Sequence, residues 1–238
     1  MRVLALETTT AHGSLAWLEG HQVLAACDLI VGQYSQQLLP AMERLASQAA
    51  SALEQVDGFA VANGPGSFTG VRIGLAAVKG LIEVWRKPAV AISTLAAVVA
   101  AGREKAGADS PRADFVAALD AARGEVYFRL GAQGEDRLAP LEEFCRIFEA
   151  PTQLRLVTPH PGLAAACAAR LQTAGLTPSV VIVPARLAPA VGRLGREELA
   201  AVPAWTPELA LRLDANYVRR SDAEIFAPAA GMAARHAQ

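Results

Sequence analysis

Apolar residues in the first hundred positions come as short solid runs, separated by longer stretches with helical spacing. Arg2 to Leu6 reads as a short buried strand that ends at the carboxylate of Glu7. Ser14 to Glu19 and Gln22 to Ile30 read as two further strands, joined by a turn at Gly20-His21. Helical spacing then starts at Ser35, a capping residue type, and runs to about Ser51 with Leu38, Leu39, Met42, Leu45, Ala46 and Ala49 on one face. Pro40 lies past the first turn of that helix and is expected to loosen or kink it. Asp57 to Ala62 and Ala89 to Ile92 are the fourth and fifth strands, and a helix from Ser93 or Thr94 to about Glu104 completes a βββαβαβα series.

Between the last two strands lies the stretch Gly64-Pro65-Gly66-Ser67-Phe68-Thr69-Gly70-Val71-Arg72-Ile73-Gly74, a strand-to-helix turn. Gly64 and Gly66 permit positive φ or close backbone approach, and Ser67 or Thr69 can cap the helix start. Such a turn can hold an anion, yet no Gly-Lys-Ser/Thr follows at P-loop spacing and no G-x-G-x-x-G is present, so a plain tight connection stands beside the nucleotide reading. The helix that follows, ending near Arg86, is polar only in the sector of Arg72, Lys79, Glu83 and Arg86. Phe68, Val71, Leu75, Val78, Ile82 and Trp85 make one apolar stripe, and Ile73, Ala77, Gly80, Leu81 and Val84 extend it most of the way round. A helix on a sheet needs much less than this, so it is either sandwiched inside its domain or covered in part by another protein.

Gly102 to Arg112 reads as a linker, after which the pattern restarts. Val116-Ala117-Ala118-Leu119-Asp120 repeats the sense of Val3-Leu4-Ala5-Leu6-Glu7, and each is followed by a glycine-containing turn and another strand, Ser14 to Leu18 or Val126 to Leu130. Two halves that open alike suggest an internal duplication, the plan of the actin, Hsp70 and sugar-kinase (RNase H-like) superfold; a chance match of two short apolar strands is the alternative. The second half is thinner in signals. Leu154 to Val157 and Val180 to Val183 read as strands, Leu163 to Thr173 and Pro203 to Leu213 as helices. The expected organisation is an α/β protein with a first domain over residues 1–106, a smaller, reduced second domain over 107–226 and a frayed Ala-rich tail over 227–238.

Composition narrows the function classes. A chain of 238 residues can bury about 70% of its unfolded surface, and with 53% hydrophobic but only 5% aromatic residues its core must rest on Ala, Leu and Val. A formal charge of −1 supplies no global field for RNA, so contact with a polynucleotide would need a local patch or a partner. Cys27, Cys145 and Cys167 are odd in number and without C-x-x-C spacing, which fits reduced structural thiols in a cytoplasmic protein. No basic leader with an apolar core opens the chain and no run approaches the roughly 18 apolar residues of a membrane span, so no membrane role is expected.

Candidate chemistry is sparse. Glu7 and Asp120 end strands, where an acid is more often a turn or cap acceptor than a catalytic group. His12, His21, His160 and His236 are isolated, with none at i, i+3 or i+4 of another, so no metal is expected. Ser67 and Ser93 have no neighbouring His–Asp pair in sequence.

The run Gly64 to Gly74, read with Val3 to Thr10 and with Ser35-Gln36-Gln37-Leu38-Leu39-Pro40, resembles the TsaB (YeaZ) family; weaker likeness continues at Asp120 to Tyr127 and Asn216 to Arg219. The resemblance implies a non-catalytic subunit of the machinery that makes N6-threonylcarbamoyladenosine next to the anticodon of tRNA. Its partner would be TsaD, which transfers threonylcarbamoyl from its adenylate, with the small ATPase TsaE in a ternary complex and a homodimer when alone. In the family the contact uses the first two helices, here Leu38, Leu39, Met42, Leu45, Val71, Leu75, Val78 and Ile82. No cofactor is implied, and tRNA would be met only indirectly or weakly. Glu7 departs from the family's usual aspartate, and the place of the catalytic relative's His-x-x-x-His motif reads Ser93-Thr94-Leu95-Ala96-Ala97. Gly64, Gly66, Ser67 and Thr69 would then be a vestigial anion or nucleotide loop and Glu7 and Asp120 vestigial acids. The rival is an autonomous Mg-ATP-dependent kinase or ATPase of the same superfold.

Overall fold

The computed structural model describes residues 1–30, 32–107, 115–149, 154–202, 205–206 and 208–219. Its first run is β1 (Arg2–Glu7), β2 (Ser14–Glu19), β3 (Gln22–Asp28), α1 (Tyr34–Gln48), β4 (Gly58–Ala62), α2 (Phe68–Trp85), β5 (Ala89–Ile92) and α3 (Thr94–Ala106). The second is β6 (Phe115–Asp120), β7 (Glu125–Leu130), β8 (Asp136–Pro140), α4 (Leu141–Arg146), β9 (Arg155–Thr158), α5 (Pro161–Thr173), β10 (Ser179–Ile182) and α6 (Ala188–Leu199), with a one-turn α7 (Leu209–Arg212) after it.

Among the described residues the strands form two five-stranded sheets, ordered β3-β2-β1-β4-β5 and β8-β7-β6-β9-β10. In each, the first strand pairs antiparallel with the second and parallel with the fourth. Both halves therefore repeat one βββαβαβα plan, that of the actin-like and sugar-kinase superfold. The second half is complete in element order; its reduction lies in length, with a six-residue α4 where the first half has a fifteen-residue α1.

Alternation along the strands explains the layers. On β1, Leu4 and Leu6 point to the face covered by α1 and α2, while Val3 and Ala5 point to the face covered by α6. On β6, Phe115, Ala117 and Leu119 pack under α3, and Val116 and Ala118 under α4 and α5. Strands buried on both faces read as solid apolar runs for this reason. The inner helices are exchanged: α3 of the first half covers the second sheet and α6 of the second half covers the first. Contact there is close, because a Cβ on Gly195 of α6 would fall 2.2 Å from Ala60 of β4. A division at residue 107 thus follows the sheets, while the helices between them cross it.

Several expectations need correction. Gly102 to Ala106 are not linker but the last turns of α3, where Gly102 admits Val157, its Cβ position lying 2.6 Å from that side chain. Residues 108–112 lie outside the described residues, as do residues 227–238. α1 runs unbroken through Pro40, which stands on its exposed side. Of the helix expected over 203–213 only Leu209–Arg212 is helical, and residues 203, 204 and 207 lie outside the described residues.

Candidate functional site

The glycine turn packs onto the β1–β2 turn rather than around open space. A Cβ on Gly66 would lie 2.2 Å from the Thr9 carbonyl oxygen, and one on Gly70 would lie 1.8 Å from that of Thr8. Ser67 N donates to Thr9 O (2.6 Å) and Thr8 Oγ1 to Gly70 O (2.7 Å). The Ser67 hydroxyl caps α2 by accepting from Gly70 N at 3.2 Å. Glycine is required here for backbone contact, and the Ser67 and Gly70 amides that a vestigial anion loop would use are taken up internally. Gly64 lies buried at φ +106° against Asn216, and of the four loop candidates Ser67 and Thr69 are exposed to solvent.

Glu7 is fully buried. Its Oε1 accepts from Thr9 N (2.6 Å), Thr9 Oγ1 (2.7 Å) and Thr10 N (2.9 Å), and its Oε2 from Thr10 Oγ1 (2.9 Å). The carboxyl organises the turn and presents no oxygen to the solvent. Asp120, its counterpart in the second half, is exposed and accepts from Ala122 N at 2.8 Å. Burial pushes the Glu7 carboxyl above its ordinary pKa of 4.5, against the pull of its bonds from Thr9 and Thr10. An acid with a higher pKa folded than unfolded binds more protons in the folded chain. Its stabilising contribution is therefore full below pH 4.5 and lost as pH rises through the folded value. Wild type is expected to lose stability relative to Glu7→Gln as pH is raised from 4.5 towards neutrality, measured by denaturant unfolding at a series of pH values; a difference independent of pH would contradict this.

The other motif positions are structural too. Ser93 caps α3 through Ala96 N (3.1 Å) and donates to Asp136 Oδ2 (2.6 Å), while Thr94 is buried with its hydroxyl 2.8 Å from that of Thr9. Neither Ser67 nor Ser93 bonds to a histidine, and among the described residues no three His, Cys, Asp or Glu side chains are placed to hold a metal ion.

A cleft of about 1200 Å³ opens between the halves, with Phe68, Arg72 and Thr69 on one side and Asp120, Tyr127 and His160 on the other. A strap, Asp214 to Arg219, runs along its wall. Asn216 N donates to Asn63 O (2.8 Å), Asn216 Nδ2 to Asp136 Oδ2 (2.5 Å), and Arg219 pairs with Glu125. Arg72 Nε donates to the Tyr217 hydroxyl (3.1 Å), and its guanidinium lies 3.8 Å above the Phe68 ring. Asp136, which also pairs with Arg129 at 2.9 Å, joins both halves and the strap. Sequence reasoning missed it, because Gly134-Glu135-Asp136-Arg137 carries the composition of a turn.

The helix stripes expected to meet a partner face inwards instead. Leu38, Met42, Leu45, Val71, Leu75, Val78 and Ile82 are buried against the sheet, since Leu4, Leu6, Leu15, Trp17, Phe59 and Val61 need that cover. Leu39 is the exception at 53% exposure. Ile73, Ala77, Leu81 and Trp85 are half-buried against the same core. Among the apolar positions of α2, those left exposed are Phe68 at its start and the row Ala76, Gly80, Val84, one turn apart, with Val84 72% exposed and nothing within 4 Å of a Cβ placed on Gly80.

Against known proteins, a family model described as TsaD, tRNA N6-adenosine threonylcarbamoyltransferase, matches residues 29–150, just over half of the chain. The tRNA threonylcarbamoyladenosine biosynthesis protein TsaB of Escherichia coli K12 is 34% identical over 128 residues, 54% of each chain. That of Bacillus subtilis is also 34% identical over 128 residues, 53% of each. The chain belongs to the TsaD family, in its TsaB (YeaZ) branch. It spans about half the length of the curated TsaB relatives it matches. The solved YeaZ of Pseudomonas aeruginosa is 27% identical, covering 91% of this chain and 99% of that one with a TM-score of 0.66. A further Pseudomonas aeruginosa structure, an uncharacterized protein with similarity to peptidase YeaZ, shares the fold at 24% identity and a TM-score of 0.69, covering 92% and 99%. Among the described residues no helix is long and apolar enough to cross a membrane.

Proposed function

We propose that this TsaB-type chain serves the biosynthesis of N6-threonylcarbamoyladenosine in tRNA as a non-catalytic subunit that binds and activates a TsaD subunit, with TsaE as a third member and a homodimer as the unpartnered form. The observation that carries this reading is the state of Glu7. The strand-end acid that would face a metal-bound phosphate in an active relative is sealed inside, with both oxygens engaged by Thr9 and Thr10. The uncovered row Ala76, Gly80, Val84, together with the exposed Leu39 of the neighbouring α1, is the matching docking face. Its small residues let another helix approach closely, and an exposed glycine in mid-helix has no reason in the chain's own stability. A net charge of −1 favours contact with tRNA through the partner.

The Mg-ATP kinase alternative needs Asp120 in its chemistry, so the two readings part at that residue. In cells lacking the chain, wild type and Asp120→Asn are both expected to restore threonylcarbamoyladenosine, read by mass spectrometry of tRNA nucleosides. Loss of the modified nucleoside with Asp120→Asn, while the variant still associates with TsaD, would overturn the non-catalytic assignment. Failure of wild type itself to restore it would overturn the role in this pathway.

A further inference from the structure

Trp205 and the segment Leu209 to Tyr217 lie antiparallel along α2. Trp205 lies under the Arg86 guanidinium, 4.1 Å from it, at the end of the helix, and Tyr217 meets Phe68 and Arg72 at its start. Between them helix and strap border a shallow, open groove of about 540 Å³. Arg72 and Lys79 stand on its helix wall, seven residues and so two turns apart, on one face and roughly 10.5 Å from each other along the axis. Among the described residues neither has an ion-pair partner. Glu83, four residues after Lys79, does not pair with it, consistent with the weaker of the two i, i+4 orders. Leu75 and Leu213 make an apolar floor, and Asp214 stands on the strap wall.

We propose that this groove receives an acidic side chain of the partner subunit between Arg72 and Lys79, with a neighbouring apolar residue of that partner on the Leu75–Leu213 floor. The proposal rests on the docking reading above and adds the chemistry of its occupant. Lys79 is half-buried and, among the described residues, in no ion pair, Asp214 across the groove included, so an acid arriving with the partner completes a pair that the chain alone does not make. Asp214 on the facing wall repels an acid that enters from the strap side, so the two walls, opposite in sign, set the occupant's orientation.

The test is the affinity of the full chain for the TsaD subunit at low and high salt, for wild type, Lys79→Glu, Lys79→Met and Gly80→Trp, with thermal melts of each. Lys79→Glu is expected to weaken binding at least about tenfold at low salt, and both Lys79 variants to flatten the salt dependence, without change in the melt. Reversing one acid of the partner to lysine should restore binding to Lys79→Glu. Wild-type affinity for Lys79→Glu with binding abolished in Gly80→Trp would overturn the groove and leave the docking face standing. Weakened binding with unchanged salt dependence would also overturn it. Wild-type affinity in all the variants would remove the docking reading itself.

Discussion

Gly70→Ala is expected to lower the unfolding free energy by about 3 kcal/mol or more, whereas Gly80→Ala, ten residues along the same helix, should raise it by up to about 1 kcal/mol. Both sites are helical, so propensity favours alanine at each. At Gly70 the new Cβ would stand 1.8 Å from the Thr8 carbonyl oxygen, a backbone atom. That turn cannot yield cheaply, because Glu7 holds Thr9 and Thr10 and Ser67 holds Thr9 from the other side. At Gly80 no atom lies within 4 Å, so only the propensity gain remains. Denaturant unfolding of the two variants decides the matter, and shifts of the same sign would mean that the glycine turn is not packed on β1–β2 as described.

The second large effect concerns the outer face. Leu39→Asp and Gly80→Trp should each abolish association with TsaD while leaving the melt near that of wild type, since Leu39 is 53% exposed and Gly80 opens to solvent. Met42→Asp and Leu75→Asp should behave differently. Met42 is 1% and Leu75 6% exposed, and replacing a buried side chain by a carboxylate combines the loss of packing with the penalty for a buried charge, together about 4 kcal/mol or more. Loss of binding in those two would report loss of fold. Melts run beside the binding measurement separate the two classes, and an intact melt for Met42→Asp would contradict the inward orientation of α1.

Much of the first half was legible in sequence because its signals are strong. The solid run at Val3 to Leu6, the Ser67 and Ser93 caps and the likeness of Val116–Asp120 to Val3–Glu7 led to the right order and to the duplicated plan. The second half hid β8, α4 and α6 for identifiable reasons. α4 is six residues long, too short to display a period. The buried face of α6 is made largely of Ala188, Ala190, Gly192 and Gly195; its alanines give little hydrophobic signal, and the two glycines that bring it onto the sheet read as helix breakers. The site was misread at one point for a different reason. Periodicity identifies which residues share a face, but not what covers that face, and the stripe assigned to a partner was the one the sheet required. The burial of Glu7 and the strap's crossing to Asp136 depend on contacts distant in sequence, which no local pattern encodes.

The central claim is that this chain works by presenting the outer surface of its first two helices to another subunit, and the most direct test is the affinity of purified Gly80→Trp for TsaD. A folded variant that no longer associates is the result expected. A folded variant that binds as tightly as wild type would contradict the account, because a tryptophan at that position cannot be accommodated beneath a closely packed partner helix.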